Sequence, residues 1–166
     1  MSGVLRGGCF CGEVRFEITG LFDAGYCHCT LCRRFSGGPA VAWANAPSRG
    51  FRLLRGAPRR YRSSPHWERA FCTTCGAPVY QQVPRPPADG SDLLCVLLGS
   101  LDDPTAVRPT AHIFCRSRLP WFEVDDDLPR FPDGALSHPS RRRSWRTDDL
   151  VAPQAPGSGT GKRERC

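Results

Sequence analysis

Cys27, Cys29 and Cys32 stand in one short stretch, Tyr26-Cys27-His28-Cys29-Thr30-Leu31-Cys32-Arg33-Arg34. The spacing of Cys29 and Cys32 is that at which one tight turn aims two sulfurs at a single ion, and Cys27 reaches the same ion if the backbone bends. Three thiolates leave one corner of a tetrahedron. Four protein ligands read as a structural site, whereas three with an open corner read as a place where water or an outside thiol binds. Coordination deprotonates a thiol and keeps it as a directed nucleophile. The spacing favours the open reading. A closed site completed by His28, His66, Cys95 or Cys115 stays as the alternative, and an iron–sulfur cluster is a weaker rival because the trio lacks a fourth cysteine. Arg33 and Arg34 follow directly, placed either to bind carboxylates of a small anionic substrate or simply to face solvent.

Two further pairs lie far apart in the chain, Cys9-x-Cys11 and Cys72-x-x-Cys75. Together they make a closed four-sulfur site that joins the first strand to the middle of the domain. Side chains two apart on a flat strand are too widely spaced for one tetrahedral ion, so the backbone at Cys9 and Cys11 must curl, which Gly7, Gly8 and Gly12 permit. Phe71-Cys72-Thr73-Thr74-Cys75-Gly76 has the form of a zinc knuckle. A structural zinc contributes about 10–16 kcal/mol of folding free energy in zinc-finger peptides, so the metal-free chain is expected to fold poorly. A second pairing, Cys29 and Cys32 with Cys72 and Cys75, ranks lower because it strands Cys9 and Cys11.

The elements that must position these cysteines read as strands. Val14, Phe16 and Ile18 alternate with Arg15 and Glu17, the period of a strand with one buried face. Further strand signals fall at Val41 and Trp43, Phe51 and Leu53, Arg59 to Tyr61, Trp67 to Phe71, Val79 and Tyr80, and His112 to Phe114. Turn residues such as Ala46-Pro47, Gly56-Ala57-Pro58 and Ser64-Pro65 separate several of them. Leu93 to Leu98 is a continuous apolar run, predicted as a central strand covered on both sides, with Cys95 a small core residue and Cys115 in another apparent strand. Pro120-Trp121-Phe122 is an exposed-prone aromatic cluster. The sum is an antiparallel, mainly β domain over residues 1–132. Residues 133–166, rich in Pro, Gly, Ser and Arg, are expected to be a disordered basic tail.

The chain has 166 residues, ten cysteines and a formal charge of +7. That length allows one domain with its own core. Met1 to Arg6 carries no apolar run of signal-peptide length, and no stretch approaches the roughly 18 apolar residues of a membrane span. The expectation is a soluble cytoplasmic protein, in which clustered cysteines favour metal over disulfides. Over half of the positive excess falls after residue 129, and no stripe of arginine and aromatic residues accompanies it, so nucleic acid is not the favoured partner. Arg141-Arg142-Arg143 reads as a solvated basic run.

The motifs Gly7-Gly8-Cys9-x-Cys11-Gly12-x-Val14-Arg15-Phe16, Cys27-His28-Cys29-x-x-Cys32-Arg33-Arg34, Phe71-Cys72-x-x-Cys75-Gly76 and His112-Ile113 followed by Pro120-Trp121-Phe122 resemble the glutathione-dependent formaldehyde-activating enzyme family, which shares its domain with centromere protein V. The likeness runs from about Leu5 to Phe131. It implies an Mss4-like fold, small antiparallel sheets pinned by zinc. It also implies two zincs per chain, a structural one on Cys9, Cys11, Cys72 and Cys75 and a catalytic one on Cys27, Cys29 and Cys32. The activity it implies is a carbon–sulfur lyase or synthase reaction, in which glutathione or a related thiol adds to formaldehyde or leaves its adduct, with His28 as a candidate proton relay and Arg33 and Arg34 as candidate substrate contacts. A different class of function competes, a zinc-stabilised binding module whose basic tail contacts an acidic protein or nucleic acid. The sequence assigns no oligomeric state.

Overall fold

A computed structural model gives the fold, and residues 3–84 and 92–134 are described. It is mainly β, with two sheets. Strands β1 (Leu5–Gly8), β2 (Arg15–Ile18) and, later in the chain, Phe51–Arg55 form a three-stranded antiparallel sheet. In chain order the others are β3 (Asp23–Cys27), helix α1 (Thr30–Ser36), β4 (Val41–Ala46), then β5 (the Phe51–Arg55 strand), β6 (Arg59–Ser64), β7 (Trp67–Phe71), β8 (Pro78–Gln82), β9 (Leu94–Leu97) and β10 (His112–Ile113). The larger sheet runs β10-β3-β4-β9-β8-β7-β6 and is antiparallel except at β10, which pairs parallel with β3. No helix of the described residues is long and apolar enough to cross a membrane.

Alternation along the strands divides the large sheet into two faces. On one face, Ala24, Ala44, Leu94, Val96, Tyr80 and Ala70 pack with Val14, Phe16 and Ile18 of the small sheet into the main core. Phe16, Phe51 and Tyr80 run through it as an aromatic series, with ring centroids 5.2 and 4.8 Å apart. The opposite face carries Cys27, Val41, Trp43 and Cys95, a second and smaller core that includes Cys32 of α1. Register places Asp23, Asn45, Cys95, Gln81, Arg69 and Tyr61 side by side across six strands. Three of these, Asp23, Gln81 and Arg69, are buried polar residues. The face that holds the cysteine trio is therefore also the polar face of the sheet.

The expected strands at Val14 to Ile18 and around Val41, Phe51, Arg59, Trp67, Val79, Leu93 and His112 are present, and β9 lies between β4 and β8 with Leu94, Cys95 and Val96 buried, as its apolar run predicts. Three local features differ. The segment after Cys29 is a short helix rather than only a turn: the Cys29 sulfur accepts the Cys32 N–H at 3.3 Å, and Gly37, at φ 75°, closes the far end through its N–H to Arg33. Seven residues are too few to show helical periodicity in sequence. Cys115 opens a 3₁₀ turn instead of sitting in a strand, because Phe114 leaves β10 in the left-handed region at φ 57°. Finally, β10 is parallel to its neighbour. Asp133, at the start of the expected tail, accepts the Phe114 N–H at 3.0 Å; residues 135–166, on which the disorder expectation falls, lie outside the described residues.

Candidate metal centres

The turn between β1 and β2 and the turn between β7 and β8 meet, and they bring Cys9, Cys11, Cys72 and Cys75 together with all four sulfurs within 4.8 Å of one another. Cys9 Sγ lies 3.6 Å from Cys11 Sγ, which lies 3.8 Å from Cys72 Sγ. The curl required at Cys9 and Cys11 is there: Cys9 N–H bonds Val14 O, Gly12 N–H bonds Cys9 O, and Gly12 takes φ 76°. The second knuckle repeats it, with Cys72 N–H on Ala77 O, Gly76 N–H on Cys72 O, and Gly76 at φ 73°. Only glycine adopts such angles without strain. Backbone N–H groups also reach the sulfurs. Val14 donates to Cys9 Sγ at 3.2 Å, and the N–H of Ala77 leads the contacts that hold the Cys75 thiol down to about 6. Donors aimed at sulfur favour the thiolate, the form that binds metal.

The second group is Cys27 at the end of β3, Cys29 capping α1, and Cys32 one turn into the helix, again within 4.8 Å of one another. Cys27 and Cys32 are buried. Hydrogen bonding from Cys27 and then Cys32 pushes the Cys29 thiol down to about 2, while the same pairing drives Cys27 well above the ordinary thiol range. Three sulfurs so close together favour thiolate at one and hold the proton on its neighbours. A divalent cation satisfies the same donor set without those protons, and the group fits a soft, thiolate-binding metal. Among the described residues, no further His, Cys, Asp or Glu joins either the trio or the four-sulfur group. His28, His66, Cys95 and Cys115, each a candidate to close the trio, do not belong to it. Two cysteine clusters can thus hold metal ions, one with four donors and one with three.

His28 sits between two of the trio's cysteines but turns into a buried chain of rings. Its Nε2 lies 2.9 Å from Nδ1 of His112, and His112 Nε2 lies 3.1 Å from both oxygens of Asp126. The histidines are 1% and 2% exposed. Tyr26 stacks on His112 at 4.9 Å, and Phe122 covers His28 at 6.4 Å. Burial, reinforced by nearby positive groups, lowers the His28 pKa and keeps the ring neutral. The Asp126 carboxylate accepts the His112 Nε2–H, and His112 Nδ1 and His28 Nε2 share one hydrogen bond, which leaves His28 Nδ1 outside the chain. That nitrogen is buried and has no partner among the described residues.

Local geometry explains how Asp126 arrives there. The segment 123–131 folds back along β10, with His112 N–H on Pro129 O and Phe131 N–H on His112 O. Arg130 staples the loop by donating to the carbonyls of Val124, Asp126 and Leu128 and to Asp126 Oδ1. Sequence reasoning missed Asp126, which stood inside an acidic run, and missed that His112 faces His28. The two arginines singled out beside the trio do not converge on it in the same way. Arg34 is exposed, and Arg33 is half-buried with a 3.4 Å contact to Thr30 Oγ1. The arginine that does reach the trio is Arg69, with Nη2 at 3.8 Å from Cys32 Sγ. Its signal was its place between Trp67 and Phe71 on one face of a predicted strand.

The family model described as glutathione-dependent formaldehyde-activating enzyme matches residues 4–117. A Halomonas elongata protein, named as a candidate enzyme of that kind, is 26% identical over 133 residues, which cover 74% of this chain and 82% of that protein. A crystal structure of a Rhodobacter sphaeroides protein aligns with a TM-score of 0.47 at 22% identity, covering 76% of this chain and 98% of the other.

Proposed function

Because the chain belongs to the glutathione-dependent formaldehyde-activating enzyme family, we propose that it is a zinc-dependent carbon–sulfur lyase or synthase acting on a small thiol, glutathione or a relative, and its aldehyde adduct. In the synthase direction a sulfur–carbon bond forms, the carbonyl π bond breaks, and the thiol proton ends on the carbonyl oxygen. The lyase direction reverses each change. Residues 1–132 are the working domain in this reading, and the cytoplasm is its compartment. The observation that carries it is the trio of Cys27, Cys29 and Cys32, three sulfurs within 4.8 Å that no fourth donor joins among the described residues.

Cys9, Cys11, Cys72 and Cys75 would hold a structural zinc, and Cys27, Cys29 and Cys32 a second one. When bound at the trio, zinc supplies positive charge that favours the thiolate form of an incoming thiol and fixes its position. The chain's own groups do the rest. His28 would carry the proton through Nδ1, the ring nitrogen left outside the His28–His112–Asp126 chain, with Asp126 orienting the two rings. Phe122 and Tyr26 shield the rings from water. Arg33, whose Nη1 is buried without a partner among the described residues, and the exposed Arg34 remain candidates for the carboxylates of a glutathione-like substrate. The competing reading, a binding module acting through residues 133–166, rests on a segment that lies almost wholly outside the described residues.

Exchange spectroscopy by NMR tests the proposal. Labelled formaldehyde and glutathione form their adduct spontaneously, so the readout is acceleration of exchange above the protein-free rate. The wild type should accelerate it and Cys27→Ser should not. Equal exchange rates with wild type, with Cys27→Ser and with no protein would remove the glutathione–formaldehyde version.

A further inference from the structure

Arg69 on β7 is 5% exposed, yet its side chain is an obligate cation. A buried guanidinium requires a compensating charge or a full set of acceptors. Its Nε donates to Ser63 Oγ at 3.0 Å, and its plane lies over the Phe35 ring at 4.9 Å from the centroid. Both terminal nitrogens point at the Cys32 sulfur, at 4.0 and 3.8 Å. Among the described residues no carboxylate forms an ion pair with it. Asp23, the buried acid of the same cross-strand row, stands four strands away, roughly 19 Å by the ~4.8 Å strand spacing. Helix α1 supplies both contacts, because Cys32 and Phe35 are three residues apart and share a helix face. Fold and register therefore bring a buried cation to the trio, and the atom its terminal nitrogens face is the Cys32 sulfur.

We propose that Arg69 is the fixed counter-charge of the Cys27, Cys29 and Cys32 site, and that it selects an anionic sulfur donor over a neutral one in the fourth position. This rests on the trio holding a divalent metal, as proposed above. Three thiolates carry three negative charges, a divalent ion leaves one, and the guanidinium cancels it. A thiolate then approaches a neutral site, whereas without Arg69 it approaches a negative one. A neutral donor is indifferent to that charge at first order. Arg69 is accordingly a positioning residue, acting through Cys32 and not through contact with substrate.

The test uses the full chain loaded with cobalt(II), whose visible spectrum changes when a fourth donor enters. Two probes are titrated, 2-mercaptoethanol as the anionic sulfur donor and imidazole as the neutral one. In Arg69→Met and Arg69→Gln the affinity for the thiol should fall roughly 10–100-fold, the range that groups around a metal's ligands commonly command, while imidazole binding stays within a few-fold. Arg69→Lys, which keeps the charge but not the fork, should retain most of the preference. A purely structural role would move both probes together, and an unchanged thiol-to-imidazole ratio in the variants overturns the proposal. Should the neutral variants not fold, the wild type carries the test: its Arg69 guanidinium NMR signals should shift on metal loading and again on thiol addition, and silent signals overturn the assignment. No thiol uptake by loaded wild type would instead sink the open-site reading itself, which keeps the two failures apart.

Discussion

Replacing Cys72 with Ser should unfold the domain rather than trim its activity. Cys72 is 1% exposed, its sulfur lies 3.8 Å from that of Cys11, and the two residues are 61 positions apart. The four-sulfur group is thus a long-range tie between the turn of the small sheet and a turn of the large one. A structural zinc in zinc-finger peptides contributes about 10–16 kcal/mol, and a whole domain is stable by about 5–15 kcal/mol. Loss of even half the metal term, about 5–8 kcal/mol on that scale, is comparable with the total. Urea unfolding followed by circular dichroism, with zinc measured on the same samples, is the assay. Wild type should unfold in one cooperative transition. Cys72→Ser should show no native baseline, and excess chelator should reproduce that in wild type. A Cys72→Ser protein that stays cooperative, with a midpoint near that of wild type and one zinc fewer, would refute the assignment of this site as the fold's tie.

Three other outcomes follow from the same geometry. Cys27→Ser should keep the fold, lose one zinc and lose acceleration of thiol–aldehyde exchange, measured by circular dichroism, metal analysis and exchange NMR; global unfolding would favour a structural role for the trio. Phe16→Ala, at a fully buried centre of the aromatic series, should cost about 3–5 kcal/mol in urea unfolding, and a loss under ~1 kcal/mol would mean the small sheet is not packed as described. Asp126, despite partial burial, is held below the ordinary carboxylate range by donors from His112 and Leu128. A carboxyl with a depressed folded-state pKa contributes stability above its unfolded value, near 4, and loses it as pH falls through the folded value. Asp126→Asn should therefore flatten the acid limb of stability against pH, and it should also lower activity through His28; an unchanged acid limb would contradict the His112–Asp126 pairing.

How much of this was legible in sequence depended on whether the signal was local. The alternation of Val14, Phe16 and Ile18 survives as a buried row because a two-residue period is a property of the chain itself. The grouping of Cys9 and Cys11 with Cys72 and Cys75 was also readable, since each half carries its own glycine turn and four donors make a complete set. The contacts of Arg69 with Cys32, and of His112 with His28 and Asp126, were not readable. They exist only through register and a returning loop: Arg69 meets Cys32 across a helix-on-sheet contact, and Asp126 reaches His112 because Arg130 staples the 123–131 segment. The arginine whose side chain meets a trio sulfur stands 37 positions from Cys32, a separation no local pattern bridges.

Zinc stoichiometry on chelator-free protein, with and without glutathione, separates an open metal site at Cys27, Cys29 and Cys32 beside a closed one from two closed sites. An open site gives two zincs per chain, one of which becomes labile or changes its spectroscopic signature in cobalt- or cadmium-exchanged protein when millimolar glutathione is added. One zinc per chain, or two that glutathione leaves untouched, would contradict it.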